Sequence, residues 1–250
     1  MNNDRPTQKM EDSPPFPFKI PVIADYKPIR VIGTGSFGQV WIALDATGSP
    51  CALKIIHKGK FDNEVFWKEF EGVKNYLPIS RGNMGLVTIL HVGKDPQENF
   101  YYYTMELADN ANDSIGEDWK EYEALSLSLQ INRIQMLYPL DKFEEIAINL
   151  ADGLAHLHEN GLVHRDIKPS NVIFINGKAK LADVGLVTKG VEASTFIGTA
   201  GYIPPEGPGM PAADVYALGK TFYELLTGKG IQDFPELPTM ISDGSKTKSF

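Results

Sequence analysis

The sequence predicts an α+β fold in which a small antiparallel β-sheet with one helix precedes a mainly helical region. Between residues 26 and 108, short apolar runs alternate with polar residues at the period of two that is typical of strands. After residue 108, apolar residues are spaced three and four apart, as in amphipathic helices. We therefore expect two lobes, a sheet lobe at residues 26–108 and a helical lobe at residues 109–250.

The sheet lobe is predicted element by element from these runs. Residues 1–25 contain five prolines, which predicts a disordered Pro-rich tail before the first strand. The five predicted strands lie at residues 29–31, 40–44, 52–56, 86–92 and 100–107. A helix between the third and fourth strands is predicted from four apolar residues on one face, Phe66, Phe70, Val73 and Leu77.

The helical lobe is predicted from two strong apolar stripes. The first helix starts at a capping box formed by Asp141 and Glu144 and stops at Gly161, and its stripe contains Phe143, Ile146, Leu150, Leu154 and Leu157. The second runs over residues 212–227 and stops at Gly228, with an inward stripe of Val215, Leu218, Phe222 and Leu225. Residues 109–139 predict a loop and a short helix near residues 119–134, and residues 229–250 a frayed end.

Composition limits the partners of this protein. Of the 250 residues, 42% are hydrophobic and 22% are charged, which is typical of a folded globular chain. The formal net charge of −8 disfavours binding to nucleic acid. The single cysteine, Cys51, excludes an internal disulfide and a Cys-rich zinc site. No apolar stretch reaches the roughly 18–20 residues of a membrane span, so we expect a cytoplasmic protein with no membrane span.

Residues 33–38 form a G-x-G-x-x-G motif, which two different kinds of site share. In a dinucleotide-binding fold the third glycine opens a helix, whereas residues 39–44 alternate as a strand does. The loop therefore joins two strands, and a Rossmann oxidoreductase is excluded. Such a turn can lay backbone N–H groups over phosphates, because glycine lets the backbone approach without a Cβ. An ordinary glycine-rich hairpin is the alternative.

Lys54 lies in an otherwise apolar strand, so its ammonium needs a partner or water. Glu69 lies on the following helix beside the apolar stripe, and Glu64 and Glu71 are its rivals for contact with the lysine. A carboxylate there would fix the lysine so that it reaches an anionic ligand. The alternative is a lysine at the sheet edge that extends into solvent.

Residues 164–171, HRDIKPSN, place a base, cations and an amide in one loop directly after the first strong helix. Asp183 and Gly185 follow a predicted strand at residues 178–182. Each fragment alone is compatible with a solvated polar loop. Their order along the chain favours one shared site.

Five segments, taken in order, resemble the protein kinase signature, most closely that of bacterial-type serine/threonine kinases. The segments are residues 33–40, 52–54, 164–171, 183–185 and 204–206, and the resemblance covers about residues 28–228. It implies a bilobal protein-kinase-like fold whose helical lobe lacks its last helices. It also implies ATP-dependent phosphoryl transfer to Ser/Thr hydroxyls of protein substrates, with ATP and Mg²⁺ as cofactors.

The resemblance implies a role for each matching residue on the nucleotide side. Lys54, held by Glu69, would contact the α- and β-phosphates, and Asn171 and Asp183 would bind Mg²⁺ through oxygen. Met105 would be the gatekeeper beside the adenine. The expected ATP-binding residues are Ile32, Gly33, Gly35, Gly38, Val40, Ala52, Lys54, Met105, Glu106, Ala108 and Ile173.

The resemblance also implies roles on the acceptor side. Asp166 would orient and deprotonate the acceptor hydroxyl, and Lys168 would neutralise charge on the γ-phosphoryl group. Thr199 and Glu206 belong to the expected substrate loop. A phosphate on the loop at residues 186–198 could pair with Arg165 and order that loop. The candidate phosphorylation sites are Thr188, Ser194 and Thr195.

Two departures from the family pattern leave other functions open. Val184 replaces the usual Phe after Asp183, and no arginine follows Arg165 to pair with Glu206 as in the family. We therefore expect Glu206 to find a lysine, water or a partner instead, because a buried carboxylate without its cation is costly, and we expect a partner or self-association to cover the shortened lobe. The alternatives are a catalytically weak or inactive nucleotide-binding scaffold, or pseudokinase, and a kinase that acts on a small molecule.

Overall fold

The first half of the chain folds into a five-stranded antiparallel sheet with the strand order β1-β2-β3-β5-β4. Its strands are β1 (Tyr26–Gly35), β2 (Gly38–Asp45), β3 (Pro50–His57), β4 (Ile89–Lys94) and β5 (Phe100–Met105). The structure is a computed structural model, and it describes residues 22–35, 38–60, 63–97, 99–112, 119–134, 138–183, 188–189 and 198–235. Most of the predicted N-terminal tail and most of the predicted frayed end lie outside the described residues. The end of the tail is described, and there Ile23 is buried and forms a bridge with Tyr26, so the prediction of disorder is wrong at that residue.

A single helix, α1 (Asn63–Ser80), covers one face of the sheet. Its buried side contains Phe66, whose ring centroid lies 5.0 Å from that of Tyr101 on β5. Tyr76 is also buried, and its hydroxyl donates to the carbonyl of Val87 at 3.0 Å. Burial of these large rings supplies the hydrophobic free energy that holds α1 on the sheet, about 2 kcal/mol for each ring.

The second half of the chain is mainly helical. Its helices are α2 (Leu127–Arg133), α3 (Leu140–Glu159) and α4 (Pro211–Thr227). Four short strands lie between them, β6 (Leu162–Val163), β7 (Val172–Ile175), β8 (Lys178–Leu181) and β9 (Thr188–Lys189). β7 pairs with β8 and β6 pairs with β9, both antiparallel. These pairs fix the loops before and after β7–β8, which carry the candidate site.

The two halves share one hydrophobic core. A single cluster of buried side chains includes Tyr103 of the sheet, Val73 of α1, Leu150 of α3 and Leu218 of α4. The relative position of the halves is therefore set by packing across their junction. None of the described helices has the length and apolar character needed to cross a bilayer.

The predicted pattern of strands and helices is confirmed, with differences at three helices. α3 begins at Leu140 after Pro139, and no side chain caps it, so the predicted capping box at Asp141 is wrong. Proline supplies a suitable fixed φ at this start, and Asp141 in the first turn is left to interact with the helix dipole. The short predicted helix begins only at Leu127, because the backbone before it pairs with residues 109–111 through hydrogen bonds.

The inward face of α4 also differs from the prediction. Val215 is 59% exposed, whereas Asp214 is 1% exposed. The helix is rotated because the Asp214 carboxylate accepts buried hydrogen bonds from the loop before β7. The predicted stop is confirmed, since Gly228 adopts the left-handed conformation with φ of 64°.

Candidate active site

The glycine motif connects β1 to β2, as its sequence context predicts, and Gly35 pairs with Gly38 across the turn. A Cβ on Gly38 would lie 2.2 Å from the carbonyl oxygen of Ile55, so only glycine fits there. A Cβ on Gly35 would meet nothing within 4 Å. The protein itself therefore does not require glycine at residue 35, and the open space suits a group bound against the turn.

Lys54 links the two halves of the molecule. It is buried in β3, and its ammonium forms an ion pair with Oδ1 of Asp183, which follows β8. Burial opposes ionisation of Asp183, but the charge of Lys54 outweighs it and keeps the pKa of Asp183 below its usual value. The pair places one cation and one carboxylate at the junction of the sheet and the helical half.

Glu69 is buried near this pair, and one of its two carboxylate oxygens lacks a hydrogen-bond partner among the described residues. Of the three glutamates considered on α1, Glu64 and Glu71 are exposed, and Glu71 pairs with Lys74 at 2.8 Å. Among the described residues, Oε2 of Glu69 is buried without a hydrogen-bond partner, and the ion pair of Lys54 is made with Asp183. Burial raises the pKa of Glu69 to about 7, although the nearby lysine lowers it in part.

The Asp166 carboxylate lies in a closed hydrogen-bonded cluster with three other polar side chains. The Thr199 hydroxyl donates to Oδ1 of Asp166 at 2.7 Å. The Lys168 ammonium donates to Oδ2 of Asp166 at 2.8 Å and to the Thr199 hydroxyl at 2.7 Å. The Asn171 amide donates to the same Oδ2 at 2.9 Å and to the Asp166 carbonyl at 2.7 Å. The cluster thus fixes the position of a nearly buried carboxylate.

Asp214 holds the loop that carries this cluster, and the sequence did not single it out. Its carboxylate accepts from the backbone N–H groups of His164 and Arg165, each at 2.8 Å, and lies 2.8 Å from Nε2 of His158. Arg165 has a φ of 72°, which costs a non-glycine residue strain that these bonds offset. One sequence signal could have indicated this role. Asp214 lies three and four positions before Ala217 and Leu218, so a helix places its carboxylate on the same face as these apolar residues.

Asn171 and Asp183 provide a donor set that fits a hard divalent cation. The amide nitrogen of Asn171 is used by Asp166, which leaves its carbonyl oxygen for another partner. The Asn171 backbone carbonyl accepts from the N–H of Ala182 at 2.8 Å, so Asn171 lies beside Asp183. Amide and carboxylate oxygens are the ligands that Mg²⁺ prefers.

The chain between the halves, residues 106–108, presents backbone groups beside the cleft. Met105 ends β5 and pairs with Ala52, while Val40 pairs with Lys54 on the neighbouring strand. Within the described part of the chain, the Glu106 carbonyl and the Ala108 N–H form no hydrogen bond. An acceptor and a donor are therefore left for a ligand. The predicted adenine residues Ile32, Val40 and Ile173 are partly buried and Ala52 and Met105 are buried.

The Glu106 side chain is fixed from both halves. Its Oε2 accepts from the Thr88 N–H at 2.9 Å and from the Lys180 ammonium at 2.7 Å. Its Oε1 accepts from Lys180 at 3.0 Å. Lys180 is 7% exposed, so this pair is largely shielded from water and holds the connecting segment in place.

The candidate phosphorylation sites are only partly described. Thr188 lies in β9 opposite Val163, while Ser194 and Thr195 lie outside the described residues. In the expected substrate loop, Glu206 follows two prolines and is exposed. Of the partners expected for Glu206, water is therefore the one that satisfies its charge.

This chain is similar to a known protein family and to several known proteins. The protein kinase domain family matches residues 26–239. Serine/threonine-protein kinase PknA of Mycobacterium tuberculosis is 30% identical over 219 residues, which covers 82% of this chain and 47% of PknA. Serine/threonine-protein kinase PrkC of Bacillus subtilis is 29% identical over 215 residues, with 82% and 30% covered.

A human relative, serine/threonine-protein kinase MRCK gamma, is 30% identical over 221 residues, which covers 82% of this chain and 13% of the relative. The chain therefore spans less than half the length of each of these relatives. The family match nevertheless covers most of the chain, from the first strand to beyond α4. It shows that this chain belongs to the protein kinase domain family.

Proposed function

We propose that this protein transfers the γ-phosphoryl group of ATP to Ser or Thr hydroxyls of protein substrates. The observation that carries the proposal is the convergence of the Lys54–Asp183 pair and the Asp166 cluster on one junction between the two halves. The family implies ATP and a divalent metal ion. The relatives' names supply the Ser/Thr acceptor and protein substrates.

On the nucleotide side, Gly33, Gly35 and Gly38 cover the phosphates and Lys54 contacts them. Asn171 and Asp183 would hold Mg²⁺, whose charge would offset that of the phosphates. Supporting this assignment, the Asn171 amide nitrogen is already bonded and its oxygen is left for a cation. Glu69, near Lys54, would help to balance the charge of the ammonium.

On the acceptor side, Asp166 accepts the proton of the substrate hydroxyl as its oxygen attacks the γ-phosphorus. The bond from the γ-phosphorus to the β,γ-bridging oxygen breaks, and ADP leaves. Lys168 neutralises charge on the transferred group, and Thr199 keeps Lys168 beside Asp166. Phosphorylation at Thr188, Ser194 or Thr195 is proposed to regulate the loop that leads to Thr199.

Transfer of labelled γ-phosphate from ATP to a mixed protein substrate tests the proposal. Asp166→Asn is expected to lower the transfer rate by a factor of about 10²–10⁴, because the general base is removed. Asp152→Asn on the exposed face of α3 is the matched control and is expected to retain activity. Equal activity of Asp166→Asn and the wild type contradicts the assignment.

One observation favours a second function, a nucleotide-binding scaffold. Among the described residues, Lys54 pairs with Asp183 and Oε2 of Glu69 has no hydrogen-bond partner. Lys54 would have to leave this arrangement to be held by Glu69 and contact the phosphates of ATP. Stabilisation by ATP with no detectable transfer to any protein supports the scaffold. Transfer that disappears in Lys54→Met excludes it.

We further infer a cytoplasmic location and self-association through the outer face of the helical half. The inference on self-association is supported by exposed apolar side chains on α3 and α4, Leu140, Ile148 and Val215. Sedimentation across a hundredfold range of concentration tests it. A monomer at every concentration contradicts it.

A further inference from the structure

The segment after residue 108 folds back onto the connection between the two halves. Its two limbs pair with each other, since the Ala111 N–H donates to the Glu123 carbonyl at 2.7 Å and the Leu125 N–H to the Asp109 carbonyl at 2.8 Å. The Asp109 carboxylate accepts from the backbone N–H groups of Asn176 and Gly177, each at 2.8 Å. The segment is thus anchored on the turn between β7 and β8.

Tyr122 is the residue of this segment that touches the connection. Its side chain is 5% exposed, and its hydroxyl donates to the carbonyl of Ala108 at 2.9 Å. Its own carbonyl accepts from the guanidinium of Arg30 on β1. Its ring lies against Trp119, with the centroids 6.0 Å apart. Contacts on both sides of the connection therefore fix the hydroxyl on the Ala108 carbonyl.

Three backbone groups of residues 106 and 108 then differ in availability to a base at the proposed ATP site. The Glu106 carbonyl and the Ala108 N–H are unbonded in the described part of the chain, and the Ala108 carbonyl is bonded to Tyr122. Adenine offers one N–H donor on its 6-amino group and one acceptor at N1, which matches the two unbonded groups. A purine with a further amino group at carbon 2 needs one more acceptor beside N1.

We propose that Tyr122 is a specificity-determining residue for the nucleotide base, because its hydroxyl takes one of the two lone pairs of the Ala108 carbonyl and makes it a poorer acceptor for a 2-amino group. The inference rests on the proposed ATP site and deepens it. A 2-amino group loses its bond to water on binding and then competes with Tyr122 for this carbonyl. Replacement of the hydroxyl removes the competing donor.

Calorimetric Kd values for ATP and for 2,6-diaminopurine riboside triphosphate, here called 2-amino-ATP, test the proposal. Wild-type protein is expected to bind 2-amino-ATP no more tightly than ATP. In Tyr122→Phe, the ratio of the 2-amino-ATP Kd to the ATP Kd is expected to fall by about fivefold, the effect of one neutral hydrogen bond. Tyr138→Phe removes a comparable hydroxyl, which bonds to Gln130 at 2.9 Å, and is expected to leave the ratio unchanged.

Two outcomes overturn this inference while leaving the ATP site intact. One is a wild-type protein that binds 2-amino-ATP several-fold more tightly than ATP, a result that needs no variant to fold. The other is a Tyr122→Phe protein that binds both nucleotides with the wild-type ratio. If the wild type binds neither nucleotide, the proposed ATP site itself is wrong, and the inference on Tyr122 falls with it.

Discussion

Asp166 and Glu69 are both buried carboxylates of the cleft, yet their surroundings differ. Both oxygens of Asp166 accept hydrogen bonds from neighbouring side chains, so the protein alone satisfies it. Glu69 has one buried oxygen without a partner among the described residues and a pKa raised to about 7 by burial. The comparison indicates that the proposed acceptor side is already assembled around Asp166, whereas we propose that the nucleotide side, which contains Glu69, is completed by what binds there.

The assembled side depends on Asp214, and its removal is expected to have the largest effect. Asp214→Ala leaves the buried N–H groups of His164 and Arg165 without acceptors and is expected to lower the free energy of unfolding by about 4 kcal/mol. Urea unfolding measures the change. Asp214→Asn keeps the shape and is expected to lose less. Equal stability of Asp214→Ala and the wild type contradicts the role given to this carboxylate.

The incomplete side predicts a specific dependence of stability on pH. The folded-state pKa of Glu69, about 7, lies above its usual value of 4.5, so the folded state holds this proton more tightly than the unfolded state. The stability that this proton contributes is complete below pH 4.5 and is lost as the pH rises to about 7. Relative to Glu69→Gln, the wild type is therefore expected to lose about 3 kcal/mol of unfolding free energy across this window.

Glu71 provides the matched control for this measurement. It lies on the same helix, is exposed and pairs with Lys74 at the surface. Glu71→Gln is expected to change the unfolding free energy by less than about 0.5 kcal/mol at every pH. A pH profile that is identical in Glu69→Gln and the wild type shows that Glu69 ionises normally and removes the contrast between the two carboxylates.

Removal of the Thr199 hydroxyl, which links Lys168 to Asp166, is expected to have a smaller effect. Thr199→Val removes both of its hydrogen bonds while keeping the shape, and the transfer rate is expected to fall about tenfold with little change in the KM for ATP. Thr199→Ser keeps the hydroxyl and is expected to restore most of the rate. A changed KM for ATP with an unchanged rate places Thr199 on the nucleotide side instead.

Patterns in the sequence predicted the strands, the main helices and the two carboxylates compared above, Asp166 and Glu69. The glycine turn was predictable because residues 39–44 alternate as a strand, and Asp166 because of the ordered motifs around it. The first signal depends on neighbouring residues, and the second on the order of short segments along the chain. Neither carries information on which distant side chain a carboxylate contacts.

The features that the sequence did not predict depend on contacts between distant residues. Asp214 meets a loop about 50 positions earlier in the chain, and this contact rotates α4 so that Val215 faces solvent. Tyr122 meets Arg30 from 92 positions away. Lys54 pairs with Asp183, which lies 129 positions later in the chain, rather than with Glu69.

The Mg²⁺ dependence of ATP binding tests the central claim most directly, namely that Lys54, Asn171 and Asp183 together hold a triphosphate and a divalent cation. Calorimetry of the wild type is expected to show at least about tenfold tighter ATP binding with saturating Mg²⁺ than without it, or about 1.4 kcal/mol. Asp183→Asn is expected to lose this dependence. Wild-type binding that does not respond to Mg²⁺, or an unchanged response in Asp183→Asn, contradicts the claim.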